Sequence, residues 1–247
     1  GWGGYAALTV IERSRSSRKH VMSANQLVIA HELPRLRHLS YLSGVNLFYS
    51  ASVCGSVPVL KGLDDLRIGD KIRSIQGIVN GSTNFILTSM TNYGLTYEQA
   101  LAEARIKGFL EADPTLDVSG QDAAQKLSVL IYHAFGKHIT PDKIATTGIE
   151  NISAEDVKKA SLEGKVIKLI AEASVDGSGN VIANVSPKAL RKSHVFATTS
   201  DEFNALEIVA HHAGPQILHG KGAGSRYGRP PTPLTRKFPS DKAGLDR

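Results

Sequence analysis

A chain of 247 residues that is 41% hydrophobic and 21% charged, with 23 glycines and 10 prolines, can bury one large core or two smaller ones, which excludes wholesale disorder. One cysteine, Cys54, excludes an internal disulfide and a cysteine-built zinc site, and no apolar run approaches the roughly 18 residues a membrane-spanning helix needs, so a soluble, cytoplasmic protein is expected. The formal charge of +6 invites a nucleic-acid reading, but the surplus gathers in residues 225–247 and leaves the main body nearly neutral.

In chain order, His20-Val21-Met22 reads as a short buried strand that runs into Ser23-Ala24-Asn25. Residues 27–42 follow with helical apolar spacing interrupted at Pro34, giving one helix or two short ones. Residues 45–50 are strand-like, and the strand, helix, strand order predicts a parallel α/β sheet. Residues 72–79 form another expected strand. A helix over 82–93 is entered through Asn80-Gly81-Ser82-Thr83, whose small polar side chains can cap its first turn, and it stops at Gly94.

Thr96 to Gln99 fits a capping box, with Ala100, Leu101 and Ala104 on an apolar face and Gly108 as the stop. Ser119 to Asp122 resembles a second box, after which Ala123, Leu127, Leu130, Ile131 and Ala134 form one stripe up to Gly136. Two strands over 165–173 and 181–185 are joined by the turn Asp176-Gly177-Ser178-Gly179, a hairpin pattern. Residues 203–218 add apolar material before the glycine run at 220–224, which reads as a bare loop because no helix follows it. Residues 225–247 hold Pro230, Pro231, Pro233 and Pro239 without hydrophobic periodicity, an irregular basic tail.

Four carboxylates, Glu111, Asp113, Asp117 and Asp122, lie close in sequence, with Lys126 one helical turn after Asp122. Spacing leaves two readings open. Asp122 and Lys126 suit an ordinary capping residue and surface ion pair. They equally suit a site in which carboxylates hold a substrate ammonium and a desolvated lysine exchanges a proton.

The runs Gly77 to Met90, Gly108 to Pro114 and Asp117 to Leu127 together resemble the catalytic domain of homoserine dehydrogenase. Weaker similarity extends from Lys19-His20-Val21-Met22-Ser23-Ala24-Asn25 and Ala51-Ser52-Val53 to Phe203-Asn204-Ala205 and the glycine run. The resemblance implies interconversion of L-homoserine and L-aspartate 4-semialdehyde with NADP or NAD, in the route to threonine, methionine and isoleucine. It implies a partial Rossmann-type parallel sheet in residues 1–51, an α+β catalytic and dimerisation domain in 52–224, a tail in 225–247, and a homodimer. Carried over by position, Lys126 and Asp122 would be catalytic, and Glu111 and Asp117 would bind the amino acid substrate. Asn80, Gly81, Ser82 and Thr83 would line the substrate end, and Ser23, Ala24, Asn25 and Gly222 the nicotinamide. The backbone carbonyls of Val53, Gly55 and Val57 would remain for a monovalent cation.

Three departures accompany the resemblance. Gln26 stands where the family has a lysine, and a neutral amide supplies neither charge nor an acid. Ser50 replaces a glutamate of the family's cation site. The strand, glycine-rich turn and helix that receive a dinucleotide pyrophosphate are not found in the sequence, so cofactor affinity is expected to be poor. The chain opens at Gly1 rather than methionine, which leaves an upstream targeting segment open. An alternative reading is therefore a noncatalytic relative that acts as an assembly partner. Nucleic-acid binding through the tail ranks last, because a few flexible charges give mainly nonspecific attraction.

Overall fold

A computed structural model describes residues 8–9, 11–14, 17–55, 57–110 and 112–222. Strands β1 (Val21–Met22) and β2 (Leu47–Phe48) pair in parallel through helix α1 (Gln26–Ser43), the unit expected from the sequence. Asn25 caps α1 by accepting the Val28 N–H at 3.1 Å, and Gly44 ends it at φ 62°. Pro34 does not split the helix. Its ring removes the N–H that would have bonded the Ala30 carbonyl, and that carbonyl instead meets Nε2 of His138 at 2.7 Å and Oγ of Ser128 at 3.1 Å. The strand expected over 45–50 is shorter than predicted, because the chain turns at Tyr49 into a 3-10 turn at Ser50–Ser52.

Helix α2 (Val59–Gly69) leads to strand β3 (Ile72–Ile78), helix α3 (Gly81–Tyr93) and helix α4 (Tyr97–Ile106). A short α5 (Thr115–Val118) precedes α6 (Gln121–Phe135), β4 (Ala145–Thr146) and α7 (Ala154–Leu162). The predicted hairpin is longer than expected, β5 (Lys165–Val175) and β6 (Val181–Arg191). The apolar segment after Phe203 is a second hairpin, β7 (Phe203–Ala210) and β8 (Gly214–Lys221). The larger sheet runs β4-β6-β5-β3-β7-β8, antiparallel except for the β4–β6 pair. The fold is thus mixed α/β, a small parallel unit followed by an α+β layer.

One sheet face packs on helices. Ile75, Leu169, Ala173 and Ile208 join Leu127, Leu130 and Ile131 of α6 in a core that also takes in Val28, Ile29 and Leu33 of α1. The predicted stripe of α6 is buried throughout, and each fully buried side chain of this size contributes about 1.5–3 kcal/mol. Because one core spans both sheets, α6 holds its first turn at a fixed place between α1 and β3. The opposite sheet face is polar and half-buried, with Gln76 donating to Glu207 at 2.5 Å and Lys188 to Glu172 at 2.6 Å.

Candidate active site

The first turn of α6 starts differently from the sequence expectation. Its N-cap is Gly120 at φ 81°, with no side-chain cap, and the Ser119 hydroxyl is buried without a hydrogen-bond partner. The Asp122 carboxylate is engaged elsewhere, because an ammonium and two amides are stronger or nearer partners than a backbone N–H. Oδ2 accepts from Lys126 Nζ at 2.7 Å and from Asn80 Nδ2 at 2.7 Å, and Oδ1 accepts from Gln26 Nε2. The surface ion-pair reading therefore fails, since the Lys126 and Asp122 side chains are only 17% and 13% exposed.

Burial alone would push both groups toward their neutral forms, and here their mutual attraction outweighs it. For Asp122 the desolvation is overcome by the Lys126 charge and the three donors, which hold its carboxyl below the usual range. For Lys126 the desolvation is overcome by Asp122, with help from Asp117, and its pKa is raised. The resting pair is an ammonium gripped by a carboxylate.

Asn80 links this pair to a second carboxylate. It caps α3, accepting from the Thr83 N–H at 2.8 Å, while its Nδ2 donates to Asp117 Oδ1 at 2.6 Å as well as to Asp122. The cap predicted at Asn80-Gly81-Ser82-Thr83 thus joins two of the four predicted carboxylates, Asp117 and Asp122. Ser82 donates to the Phe109 carbonyl at 2.7 Å, and the Thr83 hydroxyl turns back onto Asn80. Asp113 accepts twice from Thr115 and stays exposed at the head of α5, apart from the pair. Glu111, the other expected ammonium ligand, lies outside the described residues.

Ser23, Ala24 and Asn25 form the turn from β1 into α1, one residue before Gln26 and so beside Asp122. On another side, Cys54 and Gly55 both have positive φ. Gly55 lies so close to Gly222 that a Cβ there would fall 1.9 Å from the Gly222 carbonyl oxygen. Val53 and Val57 are buried beside them. Burial pushes the Cys54 thiol up to about 12, so it is a neutral wall of the site. Two features escaped sequence reading. Tyr49, His133 and Asp64 form a hydrogen-bonded row at 2.9 and 2.7 Å beside a groove of about 710 Å³, and Lys168 is buried among neutral acceptors. Both join residues far apart in sequence, and no local pattern marks them.

The family model described as homoserine dehydrogenase matches residues 58–227. The homoserine dehydrogenase of Corynebacterium glutamicum is 39% identical over 219 residues, 87% of this chain and 49% of that protein. A homoserine dehydrogenase structure from Thiobacillus denitrificans superposes with a TM-score of 0.85 at 32% identity, covering 89% of this chain and 51% of that one. A hyperthermophilic archaeal homoserine dehydrogenase in complex with NADPH gives 0.76 at 27% identity, over 90% and 64% of the two chains. The chain spans about half the length of the curated relatives it matches. A family match across most of its residues, with the lysine and carboxylates converging as described, leads to one statement: this chain belongs to the homoserine dehydrogenase family.

Proposed function

We propose that this chain carries the amino acid site and the proton-transfer pair of an NAD(P)-dependent oxidoreductase interconverting L-homoserine and L-aspartate 4-semialdehyde, a step toward threonine, methionine and isoleucine. The observation that carries this reading is the buried Lys126–Asp122 pair joined through Asn80 to Asp117. Asp117, with Glu111, binds the substrate ammonium. Lys126 faces the aldehyde oxygen. As the carbonyl is reduced, that oxygen gains negative charge, and the Lys126 ammonium stabilises it and transfers one proton to it. Asp122 orients the ammonium and keeps it protonated beforehand. In the oxidative direction the same Nζ takes up the hydroxyl proton, which requires prior loss of its own. The raised pKa of Lys126 therefore favours oxidation at alkaline pH. Gln26 orients Asp122 without adding charge.

A bound NADPH or NADH supplies the hydride. Ser23, Ala24 and Asn25, in the turn that leads into Gln26, and Gly222 would hold its nicotinamide end. The archaeal relative bound to NADPH supports the cofactor class. A monovalent cation fits less well. The donor set at Val53, Gly55 and Val57 is carbonyl only, Val57 already accepts from the Val59 N–H at 2.8 Å, and Ser50 is exposed and uncharged. No step here needs a cation.

We divide the chain into a nucleotide-domain portion over 1–51, a catalytic and dimerisation domain over 52–224 and a tail over 225–247, working as a cytoplasmic homodimer. Among the described residues no helix is long and apolar enough to cross a membrane. The deciding experiment follows NAD(P)H absorbance with L-homoserine for this chain and for Lys126→Ala. A measurable rate, lowered by about 10²–10⁴-fold in the variant, is expected for loss of a general acid–base group. No rate above background in either protein overturns the catalytic reading in favour of an assembly partner.

A further inference from the structure

Lys168 is 3% exposed, yet no carboxylate among the described residues lies within ion-pairing distance of it. Its ammonium instead has three neutral acceptors. It donates to Asn84 Oδ1 at 2.8 Å, to the Thr199 carbonyl at 2.8 Å and to Thr88 Oγ at 3.1 Å. Asn84 turns its own amide to the same loop, donating to the carbonyls of Thr199 and Phe203, both at 3.1 Å. An ammonium has three donors, and all three are used. A buried charge is expensive without such partners, and hydrogen bonds from a charged donor are stronger than neutral ones.

The loop so held, residues 199–203, reaches the proposed site twice. The Glu202 backbone lies against the first residue of α3, where a Cβ on Gly81 would fall 2.7 Å from the Glu202 carbonyl oxygen. The same carbonyl accepts the Gly222 N–H at 3.1 Å, and Gly222 is the residue whose own carbonyl packs on Gly55. The loop therefore wedges between the α3 entrance, with its cap Asn80, and the glycine contact. Asp201 within it sits at φ 55°, a conformation that needs outside support in a non-glycine residue.

We propose that Lys168 is a positioning residue: by anchoring the Thr199–Phe203 loop to Asn84 and Thr88, it sets the α3 entrance and the Gly55–Gly222 contact on either side of the substrate site. Its effect on substrate rests on the assignment of Asn80 and Asp117 to that site. Burial lowers the Lys168 pKa to about 8, and Asp201 offsets only part of this. The β6 residue opposite it, Lys188, is tied to Glu172 at 2.6 Å. A neutral amine keeps two donors for Asn84 Oδ1 and the Thr199 carbonyl and can accept from the Thr88 hydroxyl, so as the pH rises through that value the bonds to the loop lose their charge assistance and weaken.

The test combines amide hydrogen exchange with L-homoserine titration for the wild type, Lys168→Met and Lys168→Arg. In the wild type, exchange at Gly222 and Phe203, corrected for the intrinsic rate, is expected to quicken between pH 7 and 9, while amides in the middle of α6 do not change. Lys168→Met should show the faster exchange already at pH 7 and no further step. Its homoserine affinity should fall by about tenfold or more, the scale of one charged hydrogen bond, with Lys168→Arg recovering part of it. Loop exchange that is flat with pH in the wild type overturns the proposal even if the variants do not fold. So does a Lys168→Met protein with a loosened loop and unchanged homoserine affinity. Failure of the wild type to bind homoserine removes the substrate assignment alone, and the exchange data then decide the anchoring role of Lys168.

Discussion

Asn80 closes the α3 N-terminus with its oxygen and bridges two carboxylates with its nitrogen. The two jobs are separable. Asn80→Ser keeps a capping oxygen, whereas Asn80→Ala removes both functions, and loss of a cap costs about 0.5–2 kcal/mol. Asn80→Ala should therefore lower both thermal stability and homoserine affinity, while Asn80→Ser should lower affinity as much but the melting temperature less, the difference being the retained cap. Parallel melts and titrations check this, and a stable Asn80→Ser with full affinity would show that the bridge is idle. The Lys126–Asp122 pair makes a second claim, on pH. Asp122 titrates below its unfolded value, so its contribution is complete above about pH 4 and fades as the pH falls through the lowered pKa. Lys126 titrates above its unfolded value, so its contribution is complete below about pH 10 and fades as the pH rises through the raised pKa. Denaturant unfolding of the wild type and an Asp122→Leu/Lys126→Met double variant should differ by a constant amount from pH 5 to 9. A slope near neutrality would contradict the assignment. At this scale the site was half legible in the sequence. The residue types and their order were visible, but whether Asp122 capped a helix or held a lysine depended on Asn80 and Gln26, which only the fold brings to it.

Helix α1 shows how one element settles a question that sequence left open. Pro34 would break an isolated helix at a cost near 3 kcal/mol, yet the helix continues because the freed Ala30 carbonyl docks on His138. That geometry puts the proton of His138 on Nε2. His138→Leu should then destabilise the chain by about 0.5–1.5 kcal/mol, the net worth of one hydrogen bond, because the Ser128 hydroxyl stays beside the Ala30 carbonyl. In a Pro34→Ala background the helix recovers its own N–H donor, and the same change should do less harm. A urea-unfolding cycle reads the difference, and equal effects in both backgrounds would sink the docking account. Elements with strong local punctuation were readable in advance. The Thr96–Gln99 box, Gly94, Gly136 and the Asp176 turn all appear in place. Helix α7 has an equally good box, Ser153 with Asp156, but it buries only Val157 and Ala160, too few apolar positions to show a stripe. Helix α2 starts at Pro58 without a side-chain cap, and edge strand β8 is mostly exposed and starts at Gly214-Pro215. Neither carries a distinctive local signal, because each is held by its neighbours.

Across the whole molecule, the large sheet has helices on one face only, and the uses of its other face follow from what lies there. Cross-strand register puts Ile182 on β6 and Ile217 on β8 on that face, 60% and 45% exposed, with Gln76, Glu172 and Glu207 between them. The turn at Val195–Thr198 covers only the end near Ile78, Ile170 and Ala205. The sheet's five long strands at about 4.8 Å spacing and about eight residues at about 3.3 Å rise make a face of roughly 19 by 26 Å, somewhat below the ~800 Å² that each partner contributes to a standard interface. A twofold axis through such a face sets each isoleucine against its partner sheet and lets the Glu172–Lys188 pairs exchange ends. A homodimer of the kind proposed would use this face rather than the helical one. Sedimentation of the wild type should show a dimer, and an Ile182→Glu/Ile217→Glu variant, whose charges would be buried without partners, should sediment as a folded monomer. Tyr93→Glu, at the end of α3 and 69% exposed, should leave the dimer intact. If the isoleucine variant stays dimeric while the tyrosine variant dissociates, the interface lies on the helical side, and the polar sheet face is simply solvated.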